Sequence, residues 1–225
     1  MRYLAIAVPV FLLVGMKTFA QGTSASAPQE KKKGTLYFTW GYHRDAYTNS
    51  TIRFEDHTTD DYDFTFYDAK AKDKVDTDDF FHTPLTVPQY VMNIGYLFND
   101  KRNLGIEVSW DHLKYVVIDN QQMHVRGHFR GIEYDQDMIV TPDFVHFEHT
   151  NGNNYLMVSL VKQGHLLHSK NHKHELNVLF KAGAGVLVPK TDSYIMGMHN
   201  DGPFRVSGFV TGASANLRYN FFKFF

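Results

Sequence analysis

The chain has 225 residues, a formal net charge of −1 and no cysteine. That balance gives no field suited to nucleic acid, and the missing thiols exclude disulfides, thiolate metal sites, cysteine nucleophiles and anchoring through a lipidated cysteine. Past residue 20 no apolar run approaches the roughly 20 residues that a spanning helix needs, which excludes a helical membrane protein.

Residues 1–20 read as a signal peptide. Arg2 supplies the positive start, Leu4 to Val14 the apolar core, and Thr18-Phe19-Ala20 a small-x-small cleavage site. Residues 21–33, rich in Ser, Pro, Gln and Lys, form a polar leader with little to bury. The folded part is expected over 34–225.

From residue 35 the dominant period is two. Leu36, Phe38, Trp40 and Tyr42 alternate with Thr35, Tyr37, Thr39, Gly41 and His43. Tyr90, Met92, Ile94, Tyr96 and Phe98 alternate with Val91, Asn93, Gly95 and Leu97. After a short turn at 99–102, Leu104, Ile106, Val108 and Trp110 alternate with Gly105, Glu107, Ser109 and Asp111, which makes a hairpin. Three more strands are predicted. Leu156, Val158 and Leu160 mark one; Val178, Phe180, Ala182, Ala184 and Val186 mark the next; Phe209, Thr211, Ala213, Ala215, Leu217 and Tyr219 mark the last.

In each strand one face is apolar with aromatics near its ends, and the other is Gly, Ser, Asn and a few charges. A soluble sandwich would carry Lys, Glu, Thr and Arg on its outward face. Small residues with isolated charges suit the crowded inside of a narrow barrel, and aromatic ends suit membrane interfaces. The expected fold is therefore all-β, an antiparallel, up-and-down transmembrane β-barrel of about eight strands, with a secreted soluble β-sandwich as the alternative. Turns at 99–102 and 165–174 are short, while 45–87, 119–143 and 189–204 are long and polar, the asymmetry of periplasmic turns and extracellular loops. The inward charges Glu107, Asp111, Lys181 and Arg218 are expected to pair in the lumen, because an unpaired buried charge is costly. They would plug the barrel.

Six strands are clear and the smallest single-chain barrels have eight. Either Thr51 to Phe54 with Asp63 to Tyr67, or His128 to Tyr134, supplies further strands, or a final hairpin is missing. The C-terminal aromatic segment from Leu217 to Phe225 suits recognition by barrel-assembly machinery, and equally suits a turn at Asn220-Phe221-Phe222-Lys223.

Trp40-Gly41-Tyr42-His43-Arg44-Asp45-Ala46-Tyr47, Tyr62 to Asp68, Val87-Pro88-Gln89-Tyr90, Ile94-Gly95-Tyr96, Asp111 to Tyr115 and Phe147-Glu148-His149-Thr150 resemble a family of uncharacterised bacterial outer-membrane β-barrel proteins. The resemblance covers most of the chain after residue 34. It implies a cell outer-membrane location with periplasmic termini, and two further strands beyond the equivalent of Phe222. The architecture is also similar to the small OmpA-type and OmpX-type barrels. The resemblance implies no activity.

Two constellations bear on chemistry. His165, His168, His172 and His174, four of the 13 histidines, surround one short turn and are weak candidates for holding Zn²⁺ or Ni²⁺. His149-Thr150-Asn151-Gly152 resembles the His-x-Ser-Asn segment of the lipid A deacylases, which implies a general base and a nucleophile on the lipid face. Here Thr replaces Ser and adjoins the His, and adjacent strand residues point to opposite faces. The first loop is dense in Asp without the spacing of a calcium loop. No cofactor is expected. The sequence favours a non-enzymatic outer-membrane barrel with a structural or surface-interaction role through its loops. Its partners would be membrane lipid, including lipopolysaccharide, and an extracellular protein or glycan, with no nucleic acid. A lipid A-modifying hydrolase and a small-solute channel are the alternatives.

Overall fold

The computed structural model describes residues 34–74, 89–98, 102–170 and 174–221. The proposed signal peptide, the leader and residues 222–225 of the C-terminal aromatic segment lie outside them. The chain is all-β, built from antiparallel sheets, and its strands in order are β1 (Thr35–Tyr42), β2 (Ser50–Asp56), β3 (Tyr62–Ala69), β4 (Ala71–Lys72), β5 (Tyr90–Leu97), β6 (Leu104–Val117), β7 (Gln121–Phe129), β8 (Ile132–Val140), β9 (Val145–His168), β10 (His174–Pro189), β11 (Asp192–Ile195), β12 (Met198–Asp201) and β13 (Gly208–Phe221).

The larger sheet runs β1-β5-β6-β9-β10-β13, and these are the six strands that the alternation marked. Neighbours in the sheet follow each other along the chain apart from three excursions: β2 to β4, β7 and β8, and β11 with β12. All three leave from the same end of the sheet. The links at the other end, between β5 and β6 and between β9 and β10, are short. The expected asymmetry of long and short connections is present.

Three expectations need correction. The excursions are not simply polar loops, because more than half of their described residues are in strands. The segments offered as extra barrel strands do not join the large sheet: β2, β3, β7 and β8 form a second sheet, in the order β2-β3-β7-β8. The large sheet is open among the described residues, with β1 and β13 as its two ends.

The faces of the large sheet are inside-out by the standard of a soluble protein. On β1, Leu36, Phe38 and Trp40 are 58%, 52% and 54% exposed, while Tyr37 and Thr39 between them are 3% and 5%. Ile94, Val108, Leu160, Phe180 and Leu217 continue the exposed apolar surface on the other strands. The concave face buries Asn93, Glu107, Ser109, Ser159, Asn177, Asn216 and Arg218.

The apolar side chains turn from exposed to buried near a register shift between Leu113 and Tyr115 in the β6–β9 ladder, and on β6 both faces are covered there, Lys114 and Val116 included. Gly152 on β9 lies at this level with φ +133°, a backbone conformation that side chains with a Cβ rarely adopt. Beyond it Tyr115 and Val117 on β6 and Val145 on β9 are buried against the second sheet. Ile52, Phe54, Phe64, Phe66, Met123, Val125, Phe129, Phe144 and Ile195 are among the other residues of this core. Its rings pack closely, with Phe54 stacked on Phe64 at 5.2 Å and Phe64 beside Phe144 at 5.6 Å. Each such side chain contributes about 1.5–3 kcal/mol of burial energy. The outer face of the second sheet carries Arg53, Asp63, His124, Asp135 and Asp137. One pair of continuous strands thus runs from an apolar-out region into an apolar-in lobe.

Candidate functional site

The concave face of the large sheet places Tyr37, Gly95 and Glu107 side by side on β1, β5 and β6. Gly95 leaves room that a larger residue would fill, since a Cβ there would collide with the Tyr37 ring. The ring therefore lies across β5, and its hydroxyl donates to Glu107 Oε2 at 2.7 Å. From the other side Lys181 on β10 donates to Glu107 Oε1 at 2.7 Å. Glu107 is 2% exposed, and both of its oxygens are engaged. Full burial of a carboxylate is tolerable only with this kind of pairing.

Arg218 on β13 donates to Gln163 Oε1 at 2.6 Å and lies over the Tyr37 ring, 5.5 Å from its centroid. β1 and β13 share no backbone pairing, so this contact joins the two ends of the sheet through side chains. Gln163 also donates to Asn177. Asp111 sits higher on the same face, paired in register with Tyr155, and one of its carboxylate oxygens has no hydrogen-bond partner among the described residues. Of the four inward charges read from the sequence, the structure brings Glu107 and Lys181 into contact and ties Arg218 to them through Tyr37. Asp111 stands apart. Tyr37 and Gln163 were not read from the sequence as members. The pairing of an aromatic with a directly opposed glycine was the available signal for Tyr37.

His149 and Thr150 are the fifth and sixth residues of β9, where its ladder with β6 shifts register. The structure does not bring them together. His149 packs beside Phe147 and Tyr115, with Nδ1 3.3 Å from the Lys190 carbonyl oxygen. Burial pushes this imidazole down from 6.5 to about 4, against a smaller opposing effect of the Lys190 carbonyl. Thr150 donates its hydroxyl to Glu148 at 2.7 Å. Glu148 also faces Lys74 and His146.

The histidine group changes its setting too. His165 and His168 lie on β9 and His174 opens β10, so these three are strand residues and not a turn; His172 lies outside the described residues. Nδ1 of His174 is 2.9 Å from the Tyr219 hydroxyl, and the two rings stack. Among the described residues no three His, Asp or Glu side chains converge closely enough to hold a metal ion.

The outer face of the lobe is ionic. Arg53 donates twice to Asp63, both bonds at 2.7 Å, and the guanidinium holds that carboxyl below the usual range. His124 sits between Asp137 at 2.9 Å and Asp135 at 3.1 Å, and hydrogen bonding to Asp137 is the largest cause of its raised pKa. Comparison with protein-family models, with curated proteins and with solved structures finds no match to this chain.

Proposed function

We propose that the chain is an outer-membrane β-barrel protein of a Gram-negative cell, with a structural or surface-interaction role carried by the lobe that its excursions build. The observation that carries this reading is that apolar side chains are exposed along the lower parts of β6 and β9 and buried along their upper parts. A row of large apolar side chains facing outward over a buried ion pair costs about 25 cal/mol for every Å² of apolar surface left in water. In hydrocarbon the same arrangement is favoured, because lipid meets the apolar row and the charges meet each other. The lobe, with rings inside and ion pairs outside, is built for water.

The spanning parts would be β1, β5, β13 and the lower portions of β6, β9 and β10. Lipid offers no hydrogen bonds, so the reading requires strand partners for the outer rims of β1 and β13. The contact of Arg218 with Tyr37 supports a strongly curled sheet. All three excursions would lie on one side of the membrane, outside the cell, where lipopolysaccharide and extracellular macromolecules are the available partners. The separation of His149 from Thr150 gives the hydrolase reading no support. Lys181 and Glu107 meeting across the concave face likewise give none to a conducting pore.

Fractionating cells that express the full gene tests the proposal. A band in the outer-membrane fraction that migrates differently when heated is the expected result. A soluble product with no heat shift would overturn it.

A further inference from the structure

The second sheet has two edges, β2 and β8, and they differ. β2 carries a register shift between Ser50 and Ile52, and irregularity of this kind blunts an edge. β8 pairs with β7 without a break from Gln121↔Val140 to Phe129↔Ile132. It holds neither lysine nor proline, and β7 is its one strand partner among the described residues. No backbone bond outside the strand ladders reaches 132–139 there. A regular edge of 9 residues is thus left as a template for one more strand.

Its side chains say what kind of strand fits. Glu133, Asp135 and Asp137 alternate along one face of β8 and are exposed. Asp135 and Asp137 contact His124 on their own sheet, yet their side chains remain 69% and 66% exposed. A second copy of β8 laid antiparallel would set carboxylates against carboxylates, which disfavours self-pairing. On the opposite face Tyr134 and Met138 are partly buried against the aromatic core, so residues beside them gain by being apolar. From this geometry we infer that β8 docks an extended segment of a partner polypeptide in which Lys or Arg alternates with apolar residues. Strand addition supplies main-chain bonds, and the three carboxylates select the basic face. This deepens the proposed surface role and rests on it.

The test uses the full-length protein in lipid vesicles at physiological salt, with three fluorescent peptides: alternating Lys-Val, alternating Glu-Val, and Lys-Val with alternate backbone nitrogens methylated. Binding of Lys-Val alone is expected, with at least about a tenfold loss on methylation, since methyl groups remove one rim of main-chain bonds. The triple variant Glu133→Lys, Asp135→Lys, Asp137→Lys should lose Lys-Val binding by a similar factor. Failure of Lys-Val to bind would overturn the inference, and so would equal binding of the methylated peptide, which would indicate charge attraction alone. The peptide controls decide the matter even if the triple variant does not fold. Heat-modifiability of the same vesicle preparation separates failure of this inference from failure of the barrel reading.

Discussion

Lys181 on β10 reaches past β9 to set its ammonium 2.7 Å from Glu107 on β6. The two strands are not neighbours, so this bond spans the concave face and fixes its curvature. Removing one partner leaves the other charge buried. Lys181→Met is expected to cost about 3–5 kcal/mol. The double variant Glu107→Leu, Lys181→Met should cost much less than the sum of the two single changes, as read from urea titrations in a detergent that permits refolding. Additive losses would show that the pair is not coupled.

Tyr37 depends on the space over Gly95. Gly95→Val should displace the ring and break its bond to Glu107, at a cost of about 1–3 kcal/mol for overpacking together with the lost bond. Tyr37→Phe keeps the ring over the glycine and should cost about 1.5–3 kcal/mol, the range for a hydrogen bond to a charged group. If Gly95→Val were neutral in the same titration, the ring could not be seated where the structure has it.

The lobe should weaken in acid through His149. Its folded pKa, about 4, lies below the ordinary 6.5, so folding selects the neutral ring. The stabilisation is therefore complete above pH 6.5 and falls as the pH drops toward 4. At pH 5 the loss is about 2 kcal/mol, from 1.36 kcal/mol per unit. His149→Gln should flatten this slope in proteolysis of the lobe measured between pH 7.5 and 5. His124 has the opposite sign, because its raised pKa is a gain below the ordinary value that is lost as the pH rises. Its side chain is 39% exposed, so its contribution is screened.

The six strands of the large sheet were legible because each has two chemically distinct faces, and the face assignment of Leu36 against Tyr37 or Val108 against Glu107 follows from alternation alone. The second sheet was not legible as a sheet. Ile52 with Phe54 and Phe64 with Phe66 alternate visibly, but β3 takes β7 as its partner from across the β5–β6 hairpin, and local pattern carries no information on that pairing. The dense charges on its outer face, Arg53, Asp63 and Asp135 among them, read as loop. The concave face was partly legible. Glu107 and Lys181 could be assigned to one face, but their contact depends on the registers of β6 on β9 and β9 on β10. The start of β9 at Val145 was not legible, because it lies well before the apolar alternation at Leu156 to Leu160.

An arginine introduced on the exposed apolar row distinguishes lipid from water as its surroundings. Val158→Arg should destabilise the vesicle-embedded protein by about 2–4 kcal/mol, the cost near the middle of a bilayer. Thr65→Arg, on the outer face of the lobe, should change stability by less than about 0.5 kcal/mol. Equal, small effects at both positions would place both surfaces in water.

The most direct test of the change in apolar exposure along β6 and β9 uses the absence of cysteine, which makes any introduced thiol unique. Single-cysteine variants at Val108, Val158, Ser109 and Thr65, each carrying a small fluorophore, would be reconstituted into vesicles containing brominated lipid. Strong quenching at 108 and 158, with little at 109 and 65, is the result this account predicts. Water-like emission without lipid quenching at 108 and 158 would contradict it and leave the exposed rows as the surface of a soluble protein.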